Sequence, residues 1–475
     1  MVCQPVTKIA VLALSVGVAV CGTGVGLAAR PPSSTGSWVG TLTLGGSTEF
    51  GVAIEGRRAT VALGVGHAGA QTVALSARGT AVHFELPGRP GSLVFALRVE
   101  AGALVGTVSQ GRARGSVSAR RGPFPLLLAR GLYAGGGETV AVVDDPYGPA
   151  RLVGLGTGAV HAVYPQGGAF RIGAGFATRE PAVGSARFDA TGAVLSGARK
   201  ARVRVRELEV RFPSAGATLS GTLTLPAGPG RHPAVAWVHG SGPTTRAYLP
   251  DLQALLLRYG VGVLAYDKRG VGQSGGRYPG ESPTAAAIEV LARDAAAAVR
   301  FLAAQPEVDP KRVGLAGHSQ AGWIMPLAAT REPAVRFLLA FAGPAVTADE
   351  TDLYQTLAGQ GETRQRPSDA EVDAQVLARG PGGVDPLPWI RQLRVPAAWF
   401  YGELDKHVPT RLSVRRLEPV ASESGRDVTI GVLPRANHAL VETQTGLTAE
   451  MLRSDAFAPG LFARVGTWLR AHGLS

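Results

Sequence analysis

Residues 312–329 read Arg312-Val313-Gly314-Leu315-Ala316-Gly317-His318-Ser319-Gln320-Ala321, then a helix-compatible run from Gly322 to Ala329. A short apolar run, a serine between small residues and a helix match a strand, a sharp turn and a helix. Such a turn raises the serine hydroxyl above the end of a sheet. It also aims the N–H of the next residue, Gln320, at any oxyanion formed there. Glycine accounts for 65 of 475 residues, so one G-x-S-x-small pentapeptide carries little weight alone. The weight comes from what surrounds it in order along the chain.

Upstream, the buried-strand pattern Ala234-Val235-Ala236-Trp237-Val238 runs into His239-Gly240-Ser241-Gly242-Pro243. A glycine-rich loop after a strand can present a second N–H to the same oxyanion, and the amide of Ser241 is the candidate. Paired donors aimed at developing charge contribute about 3–4 kcal/mol each to acyl transfer. The Ser241 hydroxyl is the weaker nucleophile candidate, because no elbow surrounds it. Next, Gly262-Val263-Leu264-Ala265-Tyr266 ends in Asp267-Lys268-Arg269-Gly270. Asp267 and Arg269 are read as braces of the oxyanion loop, against the alternative of a charged strand-end turn.

Downstream, Pro396–Tyr401 reads as a strand and 402–409 as its loop, Gly-Glu-Leu-Asp-Lys-His-Val-Pro. A carboxylate there can fix the tautomer of an imidazole. Asp405 is the choice and Glu403 its rival. Thr429–Leu433 reads as another strand, followed by Pro434-Arg435-Ala436-Asn437-His438. His438 is the general-base candidate. His318 should point away from the serine hydroxyl, and His407 lies too near the acid in sequence to be its obvious partner. Asn437 is the only asparagine, and the chain has five Lys against 43 Arg. An asparagine kept against that bias suits a loop-turning role.

The order is thus Ser319, Asp405, His438, each after its own strand, which is the order expected of the α/β-hydrolase fold. The segments VHGSGP, YDKRGVGQSGG, GHSQAG, YGELDKHVP and ANH resemble those of bacterial serine esterases of the α/β-hydrolase superfamily. The nearest branch is dienelactone-hydrolase-like and acyl-peptidase-like, and the resemblance covers about residues 205–475. It implies Ser319 as nucleophile, Asp405 and His438 as its partners, and Gln320 and Ser241 as amide donors. Ala321 stands where glycine is usual in that pattern. The activity implied is cleavage of a small-molecule carboxylic ester through an acyl-enzyme. The alternatives are peptide or acyl-aminoacyl hydrolysis with the same triad, and a non-catalytic exported binding protein. No cofactor or metal is implied.

Alternating strands and helices from Val203 onward predict a mainly parallel, doubly wound sheet. Tyr248–Tyr259 and Thr284–Ala304 have helical spacing, and Leu338–Phe341 is a further strand. A polar, helix-compatible insertion at 344–393 is expected to form a small lid over the site. Residues 38–121 and 122–204 form two β-rich regions, with turn residues every eight to twelve positions. They suggest a sandwich or an open barrel. Gly154-Leu155-Gly156-Thr157-Gly158 is read as a hairpin turn, since no helix follows it as a dinucleotide site requires.

Residues 1–29 have the pattern of a signal peptide: Lys8, an apolar core from Ile9 to Val20, then small residues to Ala28-Ala29. The expectation is export, secreted or held at the cell envelope, with lipidation at Cys21 the lesser alternative. Cys3 and Cys21 are the only cysteines, so the body forms no disulfide. The net charge is +13, and five of the eight residues 199–206 are basic. Their alternation with valine reads as one solvated strand face. With no nucleic-acid motif, the charge points to an arginine-rich composition and leaves membrane-surface attraction open.

Overall fold

The computed structural model describes residues 35–475 apart from 45–46, 64–70, 87–91, 123–128, 144–148, 167–168, 179, 190 and 364–366. The expected signal peptide, Cys3 and Cys21 lie outside the described residues. The chain forms two β-barrels followed by an α/β domain.

The first barrel comprises eight strands, β1–β8, from Gly36 to Arg121. Each pairs antiparallel with the next, and the first closes onto the last, with Trp38 opposite Arg121. Alternation drives it: in Ala81–Leu86 every second residue is buried. The interior is filled by its own side chains, among them Trp38, Phe50, Phe84 and Phe95. Phe84 and Phe95 stack at 4.7 Å between ring centroids. The second barrel, β9–β16, runs from Gly131 to Val203 and includes β11 (Ala150–Gly154) and β12 (Val160–Gln166). It too closes, through pairing of Ala201–Val203 with Leu132–Ala134. The expected sandwich or open barrel is therefore corrected to two closed barrels. Eight tilted strands enclose a space that side chains can fill, which removes both sheet edges.

The basic run 199–206 is not one strand. It crosses from the last strand of the second barrel into β17 (Val205–Ser214), with Arg204 between. Nor is it a bare positive face. Arg199 pairs with Asp189, Lys200 with Glu138, and Arg206 with Glu307.

The α/β domain has one eight-stranded sheet. It contains β17, β18 (Ala217–Pro226), β19 (His232–Val238), β20 (Gly262–Tyr266), β21 (Val308–His318), β22 (Leu338–Phe341), β23 (Ala397–Gly402) and β24 (Val428–Leu433). The spatial order is β17-β18-β20-β19-β21-β22-β23-β24. β17 and β18 are antiparallel, and the other six strands are parallel to one another. β20, β22 and β23 are buried at every position, which is why they read as unbroken apolar runs rather than alternating ones.

Helices cover both faces. On one lie α2 (Ala285–Ala303) and α3 (Ala321–Arg331), in a core with Leu264, Leu315 and Trp399. On the other lie α1 (Pro250–Arg258) and the C-terminal helix Leu461–Ala471. That second core also takes in Leu132, Ala141, Val153, Leu155 and Phe176 from the second barrel region. A buried ion pair reinforces the join: Arg151 of β11 grips Asp251 in the first turn of α1, with Nε 3.0 Å from Oδ1. The second barrel, besides its own interior core around Tyr133, Phe170 and Ile172, is thus packed into the α/β domain, whereas the first barrel's core is separate.

Candidate active site

The backbone builds the site first. β21 ends at His318, and Ser319 takes a left-handed conformation with φ +58°. The chain then enters α3 at Ala321. Non-glycine residues avoid that region unless their surroundings impose it. Here the Ser319 amide donates to Phe341 O at 3.0 Å, which ties the turn to the end of β22. Space is short on both sides. A Cβ on Gly317 would lie 2.5 Å from Val238 O, and one on Gly322 would lie 2.6 Å from the Gly343 carbonyl carbon. The close approaches that need glycine fall at 317 and 322, on either side of Ala321.

The three residues chosen from sequence come together. Ser319 Oγ and His438 Nε2 are 3.0 Å apart, and His438 Nδ1 and Asp405 Oδ2 are 2.8 Å apart. A carboxylate only accepts, so Nδ1 carries the imidazole proton and Nε2 is free to accept from the serine hydroxyl. Asp405 is buried, and its other oxygen accepts from the amides of His407 at 2.7 Å and Val408 at 2.8 Å. Burial pushes the Asp405 carboxyl up. The His438 charge and hydrogen bond and the Val408 amide outweigh that, and the pKa ends lowered. The rival Glu403 is exposed and accepts from the Arg435 amide at 3.0 Å, away from the imidazole.

The His438 loop is turned by Asn437. Its buried Oδ1 accepts from the amides of Ala439 at 3.0 Å and Val441 at 3.1 Å. His318 points away from the hydroxyl but not away from the site. Its Nε2 donates to His438 O at 2.8 Å, and its Nδ1 accepts from the Tyr248 hydroxyl at 2.8 Å. Burial and the neighbouring His438 push its pKa down to about 3, so it is a neutral strut under the base. The His407 ring lies 4.7 Å from that of His438, and burial lowers its pKa to about 4.

The loop after β19 sits against the turn at Ser319: a Cβ on Gly240 would lie 3.4 Å from Ser319 Cβ. Of the two expected braces, Asp267 does hold this loop. It accepts from Arg246 N at 2.9 Å, Nε at 3.1 Å and Nη2 at 2.9 Å. Arg269 does not. Its Nε and Nη2 reach Asp294 of α2 at 3.0 and 2.6 Å, and Nη2 also reaches Ser214 O. The residue missed in the sequence is Lys268 between them, which is buried and donates to Gly240 O at 2.6 Å. A signal existed: it is one of five lysines in a chain that otherwise uses arginine.

The insertion 344–393 contributes α4 (Ala348–Ala358), α5 (Asp369–Arg379) and α6 (Leu387–Ile390). α4 and α5 carry textured caps at both starts, with Thr347 and Glu350, and Ser368 and Glu371, each closing a capping box. The pair packs on the loop that carries the acid, where the Tyr354 hydroxyl donates to Asp405 O at 2.7 Å. The turn after α4 reaches the site, since a Cβ on Gly361 would lie 3.5 Å from His407 Nε2. Among the described residues, no group of three or more His, Cys, Asp or Glu side chains could hold a metal ion.

Residues 230–367 match a family model, Hydrolase_4, described as serine aminopeptidase S33. The chain carries an α/β-hydrolase domain. No curated protein matches the sequence. Among solved structures, the chain is similar to an esterase of Pyrococcus furiosus at 18% identity. That likeness covers 56% of this chain and 91% of the esterase, with a TM-score of 0.40. It is also similar to a dienelactone hydrolase of Anabaena variabilis at 16% identity, over 56% of this chain and 98% of that one, with a TM-score of 0.35. In this hydrolase domain, β21, β23 and β24 deliver Ser319, Asp405 and His438 to one end of the sheet.

Proposed function

We propose that the protein is a serine hydrolase that cleaves carboxylic esters through an acyl-enzyme on Ser319. The observation that carries this is the unbroken relay from Ser319 Oγ through His438 to Asp405, at 3.0 and 2.8 Å. His438 Nε2 takes the hydroxyl proton as Oγ attacks the ester carbonyl carbon. The tetrahedral oxyanion is held by the amides of Gln320 and Ser241. The intermediate collapses, and the alkoxide leaves with the proton returned by His438. Water then gives a proton to His438 and attacks the acyl carbon. Collapse releases the carboxylic acid and regenerates Ser319. The α4–α5 insertion, packed beside the acid and His407, shapes the acyl or alcohol side of the pocket. The N-terminal pattern of residues 1–29 supports work outside the cytoplasm, which sequencing the N-terminus of the exported protein would test.

The decisive experiment is turnover of p-nitrophenyl acetate, butyrate and decanoate by the parent and by Ser319→Ala. Turnover by the parent alone supports the assignment, and its chain-length profile defines the pocket. Equal activity in both would remove Ser319 from the mechanism. A second reading, cleavage of an aminoacyl amide, is favoured by the description of the matched family model as a serine aminopeptidase. It uses the same acyl-enzyme, with an amine as leaving group. Turnover of aminoacyl p-nitroanilides with esters left untouched would put that reading first. An inert binding protein is disfavoured by the complete relay, which binding alone does not require.

A further inference from the structure

Lys268 touches the backbone of the loop that carries Ser241 and the side chain of Gln320. Its buried ammonium donates to Gly240 O at 2.6 Å, Gly242 O at 2.9 Å and Gln320 Oε1 at 3.3 Å. A trans peptide is rigid and planar, with its C=O and N–H on opposite sides. Holding Gly240 O therefore fixes the direction of the Ser241 N–H, which belongs to the same peptide unit and points away from the ammonium. A cation bonded to that C=O also polarises the peptide, which makes its N–H a stronger donor. The loop needs such a hold. Glycines at 240 and 242 leave it many alternative conformations, and only donors fixed in advance stabilise a transition state fully.

The same ammonium orients Gln320. An ammonium cannot accept, so the Gln320 side-chain oxygen faces Lys268. The side-chain Nε2 is buried with no partner among the described residues. Lysine at this position runs against the composition, 5 Lys to 43 Arg. A compact point charge suits three acceptors around one nitrogen, where the planar fork of arginine does not.

We propose that Lys268 is the positioning residue of the oxyanion site, holding the Gly240–Ser241 peptide so that the Ser241 amide is a preformed donor beside the Gln320 amide. This rests on the acyl-enzyme reading above. Lys268 does not touch substrate; it acts through the loop. The titratable and charged groups around it are Glu281, the Tyr278 ring at 5.9 Å, His239, and the Arg246–Asp267 pair beside it in the chain and loop. Burial pushes the Lys268 pKa down to about 7, and Glu281 acts to raise it. The ammonium is therefore lost as pH rises through neutrality, and with it the polarisation of the Gly240–Ser241 peptide.

The test compares the parent, Lys268→Met and Lys268→Arg on p-nitrophenyl butyrate. Active sites are first counted with a fluorophosphonate, so that kcat refers to competent enzyme only. The expected result for Lys268→Met is a kcat about 10²-fold lower per titrated site, with KM little changed. The parent should also lose kcat on the alkaline side of neutrality, and Lys268→Met should lack that limb. A purely structural role would lower the number of titrated sites and leave kcat per site alone, which overturns the proposal. Lys268→Arg should recover less than half of the lost rate. Full recovery would overturn the point-charge argument and the proposal with it. Where Lys268→Met yields no folded protein, the parent profile decides: an alkaline fall in kcat supports the proposal and a flat profile overturns it. A parent that neither turns over esters nor is labelled overturns the acyl-enzyme reading itself, and this inference falls with it.

Discussion

Gly158, in the turn between β11 and β12, accepts a hydrogen bond from the amide of Phe457 at 2.9 Å. One residue pair thereby joins the second barrel to the segment that packs on the His438 loop. Val160 N reaches Asp455 O at 2.6 Å beside it, and Ala159 bridges to Ala456. On the far side Phe457 bridges to Val441, and Ala458 N reaches Leu440 O at 2.8 Å. Val441 is the residue whose amide caps Asn437, next to His438. The barrel buttresses the loop that carries His438, through these backbone bonds and through a side-chain core in which Phe176 packs edge-on against Phe457.

A fragment of residues 130–475 should therefore fold and keep the parent activity, because the first barrel fills its core with its own side chains. A fragment of residues 205–475 should not. It would expose Leu252, Leu255, Phe457, Leu461 and Phe462, all buried in the core shared with the second barrel. Exposing a large apolar side chain costs about 1.5–3 kcal/mol, and a few such losses equal the stability of a whole domain, about 5–15 kcal/mol. Thermal melts and ester turnover of the two fragments check this. A soluble, active 205–475 fragment would sink it.

Asp405→Asn should lower kcat by about 10⁴-fold with the fold intact. The asparagine oxygen can still accept from the His407 and Val408 amides, but its NH₂ would face His438 Nδ1 and force the wrong tautomer. Glu403→Gln should leave kcat within about twofold, because Glu403 is exposed and serves the Arg435 amide. Loss of activity in Glu403→Gln equal to that in Asp405→Asn would reverse the choice of acid.

How far the sequence could be read follows from what each residue's type constrains. Ser319, Asp405 and His438 were legible because each follows a strand in a fixed order, so position and chemistry agreed. The barrels were legible as strands only. Alternation tells which face of Ala81–Leu86 is buried, but nothing in it says that the first strand pairs with the eighth. The run Asp267-Lys268-Arg269 hid its division of labour. Three charges in a row look alike in sequence, and only the folded backbone sends one to Arg246, one to Gly240 O and one to Asp294.

The small residues of the elbow are not interchangeable. Ala321→Gly should cost about 0.5–1 kcal/mol, the price of glycine within a helix, and leave kcat near the parent value. Gly322→Ala should cost more and lower the active fraction, because its Cβ would meet the backbone at Gly343 and Pro344 at 2.6 Å. That contact is backbone against backbone, with no flexible side chain to give way. Melting temperatures of the two variants check the order, and a more stable Gly322→Ala would contradict it.

Acid should unfold the protein through its buried histidines. His239 lies against Tyr266 O, and burial pushes its pKa down to about 3, as it does for His318. His407 is lowered to about 4 by burial and by His438. An unfolded histidine titrates near 6.5. As pH falls from about 6.5 toward 4, the unfolded chain takes up three protons that the folded chain refuses. Stability therefore rises with pH across that window, by up to ~4 kcal/mol per pH unit where all three differ. Asp405 acts in the same direction deeper in acid: its folded pKa is lowered, so its contribution is lost as pH falls through that value. Melting temperature should drop steeply below about pH 6. His407→Gln removes one of the three groups without entering the core at His239 or His318, and should make that drop shallower by about one proton. A melting temperature unchanged between about pH 7 and 4.5 would mean that these histidines are not held neutral by the fold.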